Sequence, residues 1–236
     1  MSAALLSPAM FRGQARQQVP HPGTVLGANG LPFMTEEERD VSRTAAFGLV
    51  AVVLIFPRLV GFIAAWAVAH WASSFVFTAR VAVLKLADLG WVYLGAFLFS
   101  VMVSALNVGP MVYKNQVIKG GSGNLQGNIQ IFKVNTLPGT YPLPYVVMED
   151  EGMIGHYNRA NRSMQHFNEN IAGFVLNAFL AGQVFAFPVM VLTLVFVGAR
   201  ILHQTAYAES GYGAHAPGNL LGVLVAVTLE MLVLLI

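Results

Sequence analysis

Residues 157–207 read YNRANRSMQHFNENIAGFVLNAFLAGQVFAFPVMVLTLVFVGARILHQTAY. One straight helix of that length would run roughly 75 Å, about twice what a bilayer needs. The spacing therefore predicts two membrane-spanning helices joined by a tight turn near Gln183 to Pro188. Each is apolar toward the turn and polar at its other end, so the polar ends meet at one membrane face. Arg162, His166 and Glu169 recur at i, i+4 and i+7 and share one stripe of the first helix. Arg200, His203 and Tyr207 recur at i, i+3 and i+7 and do the same on the second. Two polar stripes at one end of an antiparallel pair can form a small-molecule site.

Composition sets the class independently. Mean hydropathy is +0.63, 56% of residues are hydrophobic and only 10% are charged, against about 25% charged in ordinary soluble domains. That is an integral membrane protein. Cysteine is absent, which excludes disulfides, thiolate metal sites and a cysteine nucleophile. The net charge of +2 is too small to suggest nucleic acid, and no metal is expected.

The spacing Arg162-x6-Glu169-Asn170, followed by Val197-Gly198-Ala199-Arg200-Ile201-x-His203-x3-Tyr207, resembles the membrane-associated proteins in eicosanoid and glutathione metabolism (the MAPEG family). The second motif is most similar to the microsomal glutathione transferase branch. The likeness covers about Gly90 to Ile236 and is specific only from Arg162 to Tyr207. It implies an all-α membrane protein with a four-helix bundle, a homotrimer, and glutathione bound between protomers at one membrane face. It further implies that Arg162 and Lys114 bind glutathione carboxylates, that Glu169 holds the amino group, and that His166, Asn170, Arg200 and Tyr207 complete the site. Tyr207 or His203 would donate to the sulfur. The family's thiol-activating Arg belongs in the loop before the last helix, and residues 209–219 here (ESGYGAHAPGN) contain neither Arg nor Lys. His215 is the residue there that could substitute, when protonated.

Outward from this core, residues 1–43 form a polar arm rich in Pro and Gly. Its start, MSAALLSPAMFRGQARQQ, is short, Arg-bearing and free of acids, a composition shared by organellar targeting remnants and by flexible or partner-bound arms. Thr35 followed by Glu36-Glu37-Glu38 predicts a helix N-terminus. Residues 44–89 hold a span outside the family likeness, Thr44 to Trp71, broken by Pro57 and Arg58, and then an interfacial amphipathic segment from Ser73 to Leu89. This adds one N-terminal transmembrane helix to the four-helix domain of residues 90–236. On the span from Gly90 to about Tyr113, Ser100, Ser104 and Ala105 have helix-packing spacing. Tyr113-Lys114 loosely matches a family Tyr-Arg pair.

The segment 115–156 is an extramembrane insertion. Gly120 to Gly123 reads as a turn, Ile129 to Val134 as a short extended piece, and Leu137 to Tyr145 as a Pro-rich strap. Glu149-Asp150-Glu151 reads as a solvated helix start. The last span, from about Asn219 to Ile236, contains Glu230, an acid that is costly at that depth unless paired or protonated; Arg58 is a conceivable partner.

Five spans would put the N-terminus, the insertion and the loop 209–217 on one side. Arg12, Arg16, Arg39, Arg43, Lys114, Lys119, Lys133, Arg159 and Arg162 gather there, against Arg80 and Lys85 opposite. The positive-inside rule makes that side cytosolic, or its equivalent in a plastid or mitochondrion; endoplasmic reticulum and organellar membranes both fit. Two functions stay open. One is a glutathione-dependent transferase or peroxidase acting on lipophilic electrophiles from the bilayer. The other is a non-catalytic subunit or assembly factor of a larger membrane complex, favoured by the missing loop Arg, the added span and the strap. A transporter or channel would need a repeated charged pore pattern or a broken inverted repeat, and neither is present.

Overall fold

A computed structural model describes residues 34–71, 74–117, 129–135 and 145–236. The polar arm up to residue 33, the turn at Gly120 to Gly123 and all of the Pro-rich strap except Tyr145 lie outside the described residues. The chain folds as α1 (Glu36–Trp71), α2 (Ser74–Leu86), α3 (Gly90–Val117), β1 (Phe132–Asn135), β2 (Tyr145–Met148), α4 (Gly152–Gly182), α5 (Ala186–Ser210) and α6 (Ala216–Leu234). It is a helical, multi-pass membrane bundle with one small hairpin beside it.

The ends of the helices follow from their sequences. Thr35 caps α1: its Oγ1 accepts the Glu38 N–H at 3.2 Å while the Glu38 carboxylate accepts the Thr35 N–H at 3.0 Å, a reciprocal capping box. The helix thus takes in residues 36–43, which the sequence reading placed in the arm. The segment between α3 and α4 is likewise shorter than expected, because α3 continues to Val117 and α4 starts at Gly152. The expected turn between α4 and α5 is there: Val184 and Phe185 donate to the Ala181 carbonyl, and Pro188 sits in the first turn of α5, where its missing N–H costs nothing. α5 stops at Gly211, whose φ of +80° suits glycine and whose N–H reaches the Tyr207 carbonyl at 3.0 Å.

Four helices, α1, α3, α5 and α6, are long and apolar enough to cross a membrane. α4, which the sequence reading counted as one of five spans, is not among them. Its apolar run begins only near Ile171, and the turns before it carry Asn158, Arg159, Asn161, Arg162, His166 and Glu169. It nonetheless packs lengthwise against α5, and α3, α4, α5 and α6 share one core. Met102 and Leu106 of α3, Phe167 and Phe174 of α4, Phe196 of α5 and Leu229 of α6 lie at its centre. The Phe174 and Phe196 rings stack 3.8 Å apart, and their burial is a main hydrophobic contribution here. Among the long helices α1 packs chiefly on α3.

The hairpin pairs Phe132 with Met148 and Asn135 with Tyr145 in antiparallel register. A fully buried Asn158 fastens it to α4. Its Oδ1 accepts the Ile131 N–H at 2.9 Å, and its Nδ2 donates to the Ile131 and Glu149 carbonyls, each at 2.7 Å. Lys133 reaches Glu149, Asp150 and Glu151 at 2.9, 3.2 and 3.6 Å, so the acidic triplet at the start of α4 has a structural partner. Burial opposes the Glu149 charge, yet the Lys133 ammonium and the Asp150 and Glu151 N–H groups together hold its carboxyl below the usual range.

Candidate binding site

Because α4 and α6 run away from the hairpin end while α3 and α5 run toward it, the polar ends of α4 and α5 and the 211–215 loop gather at one end of the bundle. Three contacts tie this end together. Tyr113 Oη donates to Glu209 at 2.5 Å, His156 Nδ1 lies 2.8 Å from the Ala208 carbonyl, and Arg159 Nε donates to the Tyr207 carbonyl at 3.0 Å. Arg159 Nε and Nη2 also donate to the Ala208 carbonyl at 3.1 and 3.0 Å, so the guanidinium caps carbonyls at the end of α5.

Inside this end lies a cavity of about 210 Å³ lined by Arg162, Ser163, His166, His203, Tyr207, Tyr212, His215 and Asn219. The predicted stripes of α4 and α5 do meet. The His166 and His203 rings stand 5.5 Å apart, His203 and His215 5.1 Å, and Tyr207 and His215 4.9 Å. A second cavity of about 260 Å³ shares His166 and Asn219 with the first and runs down between α4 and α6. Its upper part carries Asn170 and Arg200, its walls Phe174, Phe196, Val223 and Val227, and its far end Glu230. A polar chamber thus continues into an apolar groove.

Close helix packing makes the chamber. A Cβ on Gly222 would meet the Phe196 ring at 3.8 Å and the Arg200 side chain at 3.9 Å, so α6 faces Arg200 with a glycine. Arg200 is 5% exposed. Its Nη2 donates to the Ser163 carbonyl at 3.3 Å and its guanidinium lies 5.3 Å from the centre of the Phe167 ring. No described carboxylate pairs with it. The Nε of Arg200 and the Nδ1 atoms of His166, His203 and His215 are buried with no hydrogen-bond partner. Buried polar groups are normally satisfied, and four orphans in one place are what a polar ligand would answer.

Of the residues singled out by sequence, Arg162, His166, Asn170, Arg200, His203, Tyr207 and His215 line one or other cavity. Glu169 stands at the rim, paired with Arg162 at 3.1 Å, so the two charges assigned to glutathione neutralise each other in the free chain. Lys114 lines neither cavity, and Tyr113 is engaged by Glu209 and stacks with His156 at 5.8 Å. Arg58 and Glu230 are not partners: the Arg58 guanidinium turns back to the Leu54 carbonyl, and Glu230 borders the α4–α6 groove.

Ser163, Tyr212, Asn219 and Gly222 were missed. Asn219, Gly222, Val223, Ala226, Val227 and Glu230 recur with helical period along one face of α6, and the two polar residues that bracket this stripe were its only sequence signal. Among the described residues no group of three or more His, Asp or Glu converges as a metal site. No protein-family model, curated protein or solved structure matches the chain.

Proposed function

We propose that the chamber binds glutathione and presents its thiol to a lipophilic electrophile lying in the apolar groove, in a transferase or peroxidase reaction. The observation that carries this reading is Arg200, a buried cation without a carboxylate, beside three imidazoles with unsatisfied nitrogens. A charge in that position calls for an anion from the ligand, and the tripeptide brings two carboxylates. Arg162 and Glu169 then exchange their mutual contact for a glutathione carboxylate and amino group. An exposed ion pair is worth only about 0–1 kcal/mol, so the exchange is cheap.

In this reading the His215 imidazole accepts the thiol proton, and the resulting imidazolium stabilises the thiolate that the absent loop Arg would otherwise serve. Tyr207 donates to the sulfur. The thiolate then attacks an electrophilic carbon, forming a C–S bond while the leaving group takes the displaced electron pair. The motif likeness at Arg162–Asn170 and Val197–Tyr207 supports the choice of glutathione among thiols. Localisation follows the charge bias, with the chamber on the cytosolic or stromal/matrix side of an endoplasmic reticulum or organellar membrane.

Calorimetry on the detergent-purified protein tests the proposal. Saturable glutathione binding that is lost in Arg200→Ala and in Glu169→Ala supports it; no binding at millimolar glutathione overturns it.

A second reading is favoured by α1. Its 36 residues are almost wholly exposed, and only 6% of its most apolar window is buried. A non-catalytic subunit that docks through α1 into a larger membrane complex accounts for that surface. Co-purification from native membranes distinguishes the readings, since a stoichiometric foreign subunit, with no glutathione binding, would select the second.

A further inference from the structure

α1 and α3 leave a groove of about 630 Å³ between them, within the size of small-molecule sites (about 300–1,000 Å³). Leu54, Pro57 and Arg58 stand on one side, and Ser100, Ser104 and Asn107 on the other. Val53 and Phe97, 41% and 58% exposed, are among the apolar residues that line it. Both helices are long and apolar enough to cross a membrane, so the open side of the groove faces lipid. Arg58 is half-buried here, and among the described residues it makes one hydrogen bond, from Nη1 to the Leu54 carbonyl, and pairs with no carboxylate. A guanidinium stays charged at any ordinary pH, so its place in an apolar layer calls for an anion.

The facing wall has no donors to spare. Ser100 Oγ donates to the Ala96 carbonyl at 2.9 Å, Ser104 Oγ to the Ser100 carbonyl at 3.0 Å, and Asn107 Nδ2 to the Val103 carbonyl at 2.8 Å. The free donors of the groove are therefore those of Arg58. Register sets its depth. Ser42 Oγ donates to the Asn115 carbonyl at 2.9 Å, and at about 1.5 Å per helical residue the Arg58 backbone lies about 24 Å from that contact. The Leu106 carbonyl, which accepts from Gln204 beside the chamber at 2.9 Å, lies about 14 Å from it. The Arg58 backbone is thus about 10 Å deeper than the polar chamber. Side chains lean toward the start of their helix, so Arg58 climbs back toward the hairpin end, as a cation does beneath a headgroup layer.

We infer that this groove is a binding site for one anionic phospholipid of the hairpin-side leaflet. Its phosphate sits on the Arg58 guanidinium, whose planar fork matches phosphate oxygens, and its acyl chains run along Val53 and Phe97. A dissolved anion would have to leave water to reach Arg58, whereas a lipid headgroup already belongs to the adjoining layer and its chains suit the apolar walls. The small side chains of Ser100 and Ser104 leave the room that the lipid occupies. Because α1 packs chiefly on α3, a lipid filling the space between them also ties α1 to the bundle.

Native mass spectrometry tests the site. The full chain, stripped of lipid in a neutral detergent, is titrated with dioleoylphosphatidylglycerol or with dioleoylphosphatidylcholine. The expected result is one retained phosphatidylglycerol per chain, held about fivefold or more tighter than phosphatidylcholine. Arg58→Leu should erase that preference. Ser104→Trp, which fills the groove and keeps the cation, should erase it too. Lys114→Met removes a cation that does not line the groove and should leave the preference intact. Equal retention of both lipids by the wild type, or an unchanged preference in either groove variant, overturns the site. So does an equal loss in Lys114→Met, which would show surface charge alone, or displacement of the lipid by inorganic phosphate, which would show a site for dissolved anions.

Discussion

Gly218, at the start of α6, lies so close to α5 that a Cβ built on it would fall 2.6 Å from the His203 backbone nitrogen and 2.7 Å from the Ala199 carbonyl oxygen. This contact holds the 211–215 loop, and with it His215, over His203 and Tyr207. Gly218→Ala must push the two helices apart, at a cost of about 1–3 kcal/mol. It should also reduce any ligand binding in the chamber. Gly173, in α4, meets nothing within 4 Å, so Gly173→Ala should leave stability unchanged or raise it by up to about 1 kcal/mol. Thermal unfolding of the two variants in detergent checks the contrast; equal effects would show that α5 and α6 are not in this contact.

Arg162 and Glu169 form an exposed pair 3.1 Å apart. Removing both in Arg162→Ala/Glu169→Ala should shift stability by less than about 1 kcal/mol while abolishing glutathione binding. Calorimetry and thermal unfolding of the same preparation separate the effects. Unchanged binding would remove these residues from the site.

Asn158 makes three hydrogen bonds to the hairpin and to the segment entering α4. Asn158→Ala leaves the Ile131 N–H and the Glu149 carbonyl unanswered, while the Ile131 carbonyl keeps the Glu149 N–H; a buried group left unsatisfied costs about 1–3 kcal/mol. The expected signature is local: faster amide exchange across β1 and β2, with protection in α5 and α6 retained. Uniform loss of protection would place Asn158 in the global core instead.

The Lys133 contacts give the hairpin a pH dependence. The folded state holds the Glu149 carboxyl below its ordinary value, so the stabilisation is fully present above that ordinary value. It is lost as pH falls through the depressed folded one. Amide protection at β1 and β2, taken relative to the intrinsic exchange rate at each pH, should fall below about pH 4, and Lys133→Met should move the onset to higher pH. The same onset in both proteins would mean that this ion pair does not hold the hairpin.

How much of this was legible beforehand varied with the kind of signal. Thr35 and its three acids announced a capped helix, the Gln183–Pro188 stretch announced a turn, and the two polar stripes of residues 162–169 and 200–207 announced faces that meet at one end of the bundle. All of these are local spacings along one or two helices. Ser163, Tyr212, Asn219 and Gly222 were not visible, because their place in the chamber depends on how α6 rotates against α4 and α5. Tyr113 and Lys114 form one pair in sequence, yet the structure binds Tyr113 to Glu209 and leaves Lys114 outside both cavities.

Hydrophobic periodicity and helix-end chemistry act through neighbours within about a turn or two, so the sequence by itself determined that this is a membrane bundle, where its helices begin and turn, and which faces of α4 and α5 are polar. Only the tertiary structure decided that Arg200 is buried without a carboxylate, that three imidazoles share one chamber, and that Arg58 and Glu230 do not meet. Those facts depend on packing between helices far apart in the chain, where a glycine such as Gly218 sets a distance that no local spacing records.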